Sequence, residues 1–270
     1  MIGWTLVVDL SGRITIWEFD EMANLLVEKY GQQITDQISV TVSGKVNKIS
    51  YVFFGSNSGT VYQLNESTGT ITDIVALESG IKRLILYSKR NRLILITESM
   101  LLCQYSLSTT NSEVCEVSKV KLSTSGRSIT SDIITALMID DSIGMIAICF
   151  TSERVIRLWQ LESGNNAAVI VAESAESHWA GVTSVSYLNG LMAAGTSNSH
   201  VIIWKRGLGL EFNRVSQIQI KGSVKQISVG QSGHIACITS TNDIYLVNEQ
   251  NMCFAYRNQI VIIQVFIQFI

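Results

Sequence analysis

The chain has 270 residues, 20 basic and 22 acidic, for a formal net charge of −2 at pH 7, so its bulk charge calls for neither a polyanion nor an acidic membrane surface as partner. Hydrophobic residues make up 47% and charged residues 16%, against roughly 25% charged in an ordinary soluble domain, so part of the surface is expected to be covered or used for contact. A chain this long buries on the order of three quarters of its extended surface, enough for a large core.

In chain order one pattern returns: an apolar run, a short polar turn, and a second apolar run closing on a large side chain. It reads TLVVDLSGRITIW at 5–17, YVFFGSNSGTVYQL at 51–64, LILITESMLLCQY at 93–105, MIAICFTSERVIRLW at 145–159, LMAAGTSNSHVIIWKR at 191–206 and HIACITSTNDIYLV at 234–247. With Trp17, Leu64, Tyr105, Trp159, Trp204 and Val247 taken as equivalent, the steps are 47, 41, 54, 45 and 43 residues. These bracket the roughly 40–45 residues of a four-stranded propeller blade. An inward first strand precedes four units, at 81–88, 133–140, 182–188 and 223–229, and fourth strands are placed at 167–172 and 213–220. The segment FDEMANLLVEKYG (19–31) stays open between a helix, with Met22, Leu25, Leu26 and Tyr30 on one face, and a strand with its loop.

A lone four-stranded sheet with two apolar faces cannot cover itself, whereas sheets stacked around an axis bury both. The expectation is an all-β, WD40-like β-propeller of about six four-stranded antiparallel blades over 1–258, part of a larger seven-bladed or tandem propeller. Residues 259–270 are then an unpartnered strand or the start of a next blade. That segment, QIVIIQVFIQFI, has 12 residues interrupted by Gln264 and Gln268, short of the roughly 20 that span a membrane as a helix. There is no proline, so turns rest on Gly, Asn and Ser. Cys103, Cys115, Cys149, Cys237 and Cys253 lie mostly in apolar strands without CxxC spacing, and read as buried free thiols in a reducing compartment.

Chemical motifs are few. There is no nucleophile elbow and no phosphate loop. His178, His200 and His234 read as polar turn residues, and Asp140–Asp141 as a turn pair making local hydrogen bonds. Lys82, Arg83, Lys89, Arg90 and Arg92, with Glu98 near, read as a solvated face rather than a nucleic-acid stripe. The expected catalytic, cofactor and metal sites are therefore none, with no small-molecule substrate, nucleic acid or membrane insertion. Trp17, Tyr105, Trp159 and Trp204 are the candidate blade-packing residues. Trp179, in AESHWAG (175–181), is the candidate partner contact, since exposed aromatics anchor partners; a tryptophan filling the gap between two blades is the other reading.

The strand-ending tryptophans in RITIWEFD (13–20), VIRLWQLESG (155–164) and VIIWKR (201–206) resemble WD-repeat blades. Only Trp17 is followed by an acid, Glu18, while Gln160 follows Trp159 and Lys205 follows Trp204. The Asp–His–Ser–Trp network of regular WD repeats is therefore not expected, and strand burial is left as the main cohesive term. The ordered set EKYGQQIT (28–35), GTVYQLNESTGTITDIV (59–75), KRNRLILITESMLL (89–102), VSKVKLSTSGRS (117–128), IRLWQLESGNN (156–166) and GLMAAGTSNSHVIIWK (190–205) resembles the N-terminal propeller region of intraflagellar transport protein 140 homologs. The resemblance spans about residues 4–258. It implies a fragment of a longer protein in which two tandem propellers precede a helical solenoid. It further implies a non-catalytic scaffold in intraflagellar transport complex A, at the cilium (axoneme and basal body) and in the cytoplasm. Its partners would be the other complex A subunits and cargo proteins, in retrograde transport and the admission of receptors to the cilium. A vesicle-coat or other cytoplasmic WD-repeat scaffold is the alternative.

Overall fold

The computed structural model describes residues 4–8, 13–20, 25–34, 36–108, 114–124, 127–128, 133–150, 156–163, 167–173, 181–208, 211–247 and 253–256. These are almost wholly antiparallel strands; one 3-10 turn at Ser88–Arg90 is the single helical element among them. Sheet I holds β1 (Trp4–Val8), β2 (Arg13–Asp20) and β3 (Leu25–Gln33); sheet II holds β4 (Ile38–Val46), β5 (Ile49–Ser56), β6 (Thr60–Asn65) and β7 (Ile71–Ala76). Sheet III holds β8 (Ile81–Tyr87), β9 (Arg92–Thr97), β10 (Leu101–Leu107) and β11 (Val114–Lys121), followed by the short pair β12 (Ser123–Thr124) and β13 (Arg127–Ser128). Sheet IV holds β14 (Ile133–Asp140), β15 (Met145–Phe150), β16 (Ile156–Ser163) and β17 (Ala167–Glu173); sheet V holds β18 (Val182–Leu188), β19 (Leu191–Thr196), β20 (His200–Arg206) and β21 (Phe212–Gln219). Sheet VI holds β22 (Val224–Val229), β23 (Ile235–Thr239), β24 (Ile244–Val247) and β25 (Cys253–Tyr256). Each sheet pairs its strands in chain order, the meander of a propeller blade.

Of the open segment 19–31, residues 19–20 and 25–31 are strand, and 21–24 lie outside the described residues. Leu25–Gln33 pairs along β2, with Glu28 opposite Trp17 and Tyr30 opposite Ile16. Pairing with an existing strand outweighs the helical spacing of Met22, Leu25, Leu26 and Tyr30. The β19–β20 turn is confined to Ser197–Ser199, because β19 runs through Gly195 and Thr196 and β20 starts at His200.

The chain forms two compact units, Met1–Leu122 and Ser123–Ile270. In the second unit, sheet V shows how one strand pattern serves two faces. Met192, Ala194, Ile202, Trp204 and Phe212 pack with Ile139, Met145, Ala147, Cys149, Ile156 and Leu158 of sheet IV. The intervening Leu191, Ala193, Val201 and Ile203 pack instead with Val224, Ile227, Val229, Ile235 and Cys237 of sheet VI. Period-2 alternation therefore sends apolar side chains both ways, which is why β19 is buried at every position. In the first unit, Tyr51, Phe53 and Val61 of sheet II meet Ile81, Leu84, Leu93 and Leu95 of sheet III in the same way.

The first strands of neighbouring sheets are tied by serine hydroxyls. Ser184 and Ser186 of β18 accept from the backbone N–H groups of Ile227 and Val229 at 3.1 and 3.0 Å. In the first unit the Ser39 hydroxyl donates to the carbonyls of Gly55 and Ile81. Each first strand of sheets II–VI also carries a bulge at its second residue, breaking register between Ile38 and Val40, Ile81 and Arg83, Ile133 and Thr135, Val182 and Ser184, and Val224 and Gln226. Such a bulge raises the local twist and leaves the ladder one residue out of step at the strand's start.

Candidate interaction surface

The hairpin joining second to third strand is built alike in four sheets. It opens on a buried hydroxyl, Ser56, Thr97, Thr196 or Thr239. That oxygen accepts the backbone N–H four residues on: Thr60 at 3.0 Å, Leu101 at 3.1 Å, His200 at 3.0 Å and Asp243 at 3.2 Å. It also bonds the side chain two residues on: Ser58, Ser99 and Thr241 each at 2.9 Å, and Asn198 at 2.6 Å. The fourth residue is left-handed in every case, with φ of 99° at Gly59, 61° at Met100, 67° at Ser199 and 60° at Asn242. This is a type I turn followed by a left-handed bulge residue, and its inner polar groups are satisfied locally. A Cβ at position 59 would lie 2.2 Å from the Leu77 carbonyl oxygen, so glycine is required there. TSERV at 151–155 repeats the sequence signature but lies outside the described residues.

The next residue clasps the hairpin to the loop that leads into the same sheet. The N–H groups of Asn57, Glu98, Ser197 and Ser240 donate to the carbonyls of Gln37, Gly80, Gly181 and Ser223 at 2.9, 2.9, 3.0 and 2.7 Å. In sheet II the clasp also holds a carboxylate, whose Asp36 Oδ2 accepts from Ser58 Oγ at 2.6 Å and from the Tyr62 hydroxyl at 2.9 Å. The Ser58 bond keeps the Asp36 carboxyl below its ordinary range, and burial, aided by that carboxylate, pushes the Tyr62 phenol up. Sequence reasoning left strand burial as the main cohesive term; these hydroxyl hairpins add a second one. Their signal was present as Ser or Thr at the first position of SNSGT, TESML, TSNSH and TSTND, with a hydrogen-bonding residue two places on.

The strand-closing residues follow the hairpins at a fixed distance. Tyr105, Trp159 and Trp204 are buried, and the backbone of Trp17 lies opposite Thr5 and Glu28, its side chain lying outside the described residues. Tyr105 packs with sheet II side chains, Trp204 with those of sheet IV and Val247 with those of sheet V, in each case the preceding sheet. The Trp159 indole N–H is buried without a hydrogen-bond partner among the described residues. Burial pushes the Tyr105 phenol far up, with Cys103 and Glu116 adding to it, and its hydroxyl donates to Glu116 Oε2 at 3.2 Å. Trp179 and His178 lie outside the described residues. His200 begins β20, its Nδ1 2.9 Å from the Asn198 carbonyl, and His234 Nδ1 lies 2.8 Å from Ser232 Oγ.

The turns at the other end of the strands hold charge. Asp140 makes its expected local bond, accepting from the Ser142 N–H at 2.8 Å and from that serine's hydroxyl. It also reaches Arg206 of the next sheet, 2.8 Å from Nη2, a pairing across 66 residues that no local motif announces. The Ser142 hydroxyl and the Arg206 guanidinium hold the Asp140 carboxyl down at about 2.

The basic group read as one solvated face is divided by the fold. Lys82 and Arg83 start β8, near Glu98 and the hydroxyl hairpin, since Ile81 pairs with Thr97 and Arg83 with Ile96. Lys89, Arg90 and Arg92 lie at the opposite end of the strand, roughly 20 Å away at 3.3 Å per residue. There Asn91 Nδ2 donates to Asn47 Oδ1 at 2.7 Å, joining the β8–β9 turn to the β4–β5 turn with its Lys45 and Lys48.

This architecture, blade-like meanders braced face to face with loops at the strand ends, defines a WD40-type β-propeller protein. The solved structures it is similar to agree. A chain of the Saccharomyces cerevisiae Sqt1 crystal structure superposes with a TM-score of 0.67 at 13% identity, covering 94% of this chain and 70% of that one. A chain of the Mitotic Checkpoint Complex gives 0.63 at 12%, covering 93% and 75%, and the computationally designed Ika8 protein gives 0.62 at 12%, covering 91% and 68%. At such identities the likeness shows the fold alone. Residues 18–250 match the family described as the IFT140 first beta-propeller, and the chain belongs to that family.

Proposed function

We propose that the chain is a non-catalytic scaffold that works through protein–protein contacts within intraflagellar transport complex A, supporting retrograde ciliary transport and the admission of cargo to the cilium. Membership of the IFT140 first-propeller family over residues 18–250 carries this reading. A propeller suits the task, because rigid sheets hold their loops in fixed positions for partners to recognise. The partners are the other complex A subunits and cargo proteins, met at the cilium and in the cytoplasm, and residues 1–258 act as a partial propeller domain. Within it Trp17, Tyr105, Trp159 and Trp204 serve as packing residues between blades, and Trp179 as a partner contact.

The test is co-purification of the tagged full-length gene product from ciliated cells. Recovery of other complex A subunits is expected; clean recovery without any of them overturns the proposal. In the same assay Trp179→Ala is expected to weaken capture with the melting temperature unchanged. A large fall in melting temperature would make Trp179 structural instead.

A further inference from the structure

We infer that the joined β4–β5 and β8–β9 turns of the first unit form a docking site for an acidic segment of a partner protein. Five cationic side chains gather there: Lys45, Lys48, Lys89 and Arg90 are exposed and Arg92 is half-buried. Among the described residues, two carboxylates share this end of the sheets. Glu66 is held nearby by its N–H bond to the Ser50 carbonyl, and Glu116 already accepts from the Tyr105 hydroxyl. Among the described residues the balance at this end is positive on a chain whose total is −2, so the charge is local rather than a property of the whole surface.

The turns that carry the cations are also held to one another. Asn47, Lys48 and Asn91 take left-handed φ of 48°, 72° and 48°, and the Asn91–Asn47 side-chain bond locks one turn to the other. Arg92 is braced by Gln104 Oε1 at 3.4 Å. With the turn backbones fixed, binding has to order side chains and not loops, which lowers its entropic cost. Ile49, 37% exposed in the same turn, offers a modest apolar contact within the basic set.

The same features favour an acidic peptide over an anionic bilayer. A flat membrane would press Glu66 against its own anionic headgroups, whereas a peptide can run past it. Stable membrane attachment also calls for inserted aromatic or aliphatic side chains or a second anchor, and a half-covered isoleucine is a poor wedge. Local charge of this kind acts mainly on encounter rate and specificity and is strongly salt-dependent.

The experiment titrates a fluorescein-labelled oligo-glutamate peptide into the full chain and follows anisotropy, with phosphatidylserine vesicles and an oligo-lysine peptide as comparators. Binding of oligo-glutamate is expected near 20 mM salt and should be largely lost by about 200 mM. Two variants, Lys48→Glu/Arg90→Glu and Lys45→Glu/Lys89→Glu, should each weaken it by about tenfold while Lys225→Glu in the other unit does not. The second variant leaves the left-handed Lys48 untouched, so a folding defect in the first cannot mimic the result. No oligo-glutamate binding at low salt, equal loss in Lys225→Glu, or vesicle binding in place of peptide binding would each overturn the proposal. None of these outcomes bears on co-purification with complex A.

Discussion

Asp140 shows what a single side chain adds in such a fold. Its carboxyl is held at about 2, below the ordinary 3.8, so its contribution is present above pH ~4 and is lost as pH falls through 2. The site is partly exposed, 18% at Asp140 and 22% at Arg206, and screening reduces the combined worth of the Ser142 and Arg206 bonds to about 1–2 kcal/mol. Asp140→Asn should therefore lower the urea midpoint at pH 7 and lower it only about a third as much at pH 2.5; an equal loss at both pH values would assign the effect to packing. Nothing local predicts this pair, because Asp140 finds its cation in the next sheet, whereas the Ser142 bond follows from ordinary turn chemistry.

At the scale of the element, the hydroxyl hairpin is the recurring unit. Removing the Thr196 oxygen leaves the His200 N–H and the Asn198 side chain without their inner partner. Thr196→Val keeps the volume and should cost about 1–3 kcal/mol, with Thr196→Ser recovering most of it, as read by denaturant unfolding. Equal midpoints for Val and Ser would remove the hydroxyl from the account. Strand existence and hairpin position were legible because apolar runs of this length, punctuated by Ser, Asn and Gly, admit few other structures. The segment at 19–31 was less legible: Leu25, Leu26 and Tyr30 suit either period, and pairing with β2 decides it. The basic group misled for a related reason, since residues close in sequence along a strand sit at opposite rims, while Lys45 and Lys89 come together only through adjacent turns.

Across the whole molecule, each compact unit carries its own buried thiol. Cys103 lies in the first unit and Cys149 and Cys237 in the second, while Cys115 is exposed; none of these four is in a disulfide. Burial pushes the Cys103 thiol up to about 11, so it is doubly shielded from alkylation, by access and by charge state. Iodoacetamide followed by peptide mapping should label Cys115 rapidly and the three buried thiols roughly a hundredfold more slowly or worse. Labelling of Cys103 as fast as Cys115 would mean that sheet III opens freely. The unbridged, strand-borne state of these cysteines was readable from their apolar neighbours, but which one lay outside was not, because Cys115 sits in an outer strand whose alternation is weak.

The two-way alternation of sheet V has a consequence for how such chains tolerate change in length. Because even-numbered positions of β19 and β20 serve one neighbour and odd-numbered positions the other, losing a single residue inside either strand would send that strand's contacts beyond the loss to the wrong neighbour, and in β20 would put a smaller side chain in the place of Trp204. The parity of the strand is thus a reading frame for packing, with the loops as the only places where a residue can be gained or lost without a frameshift.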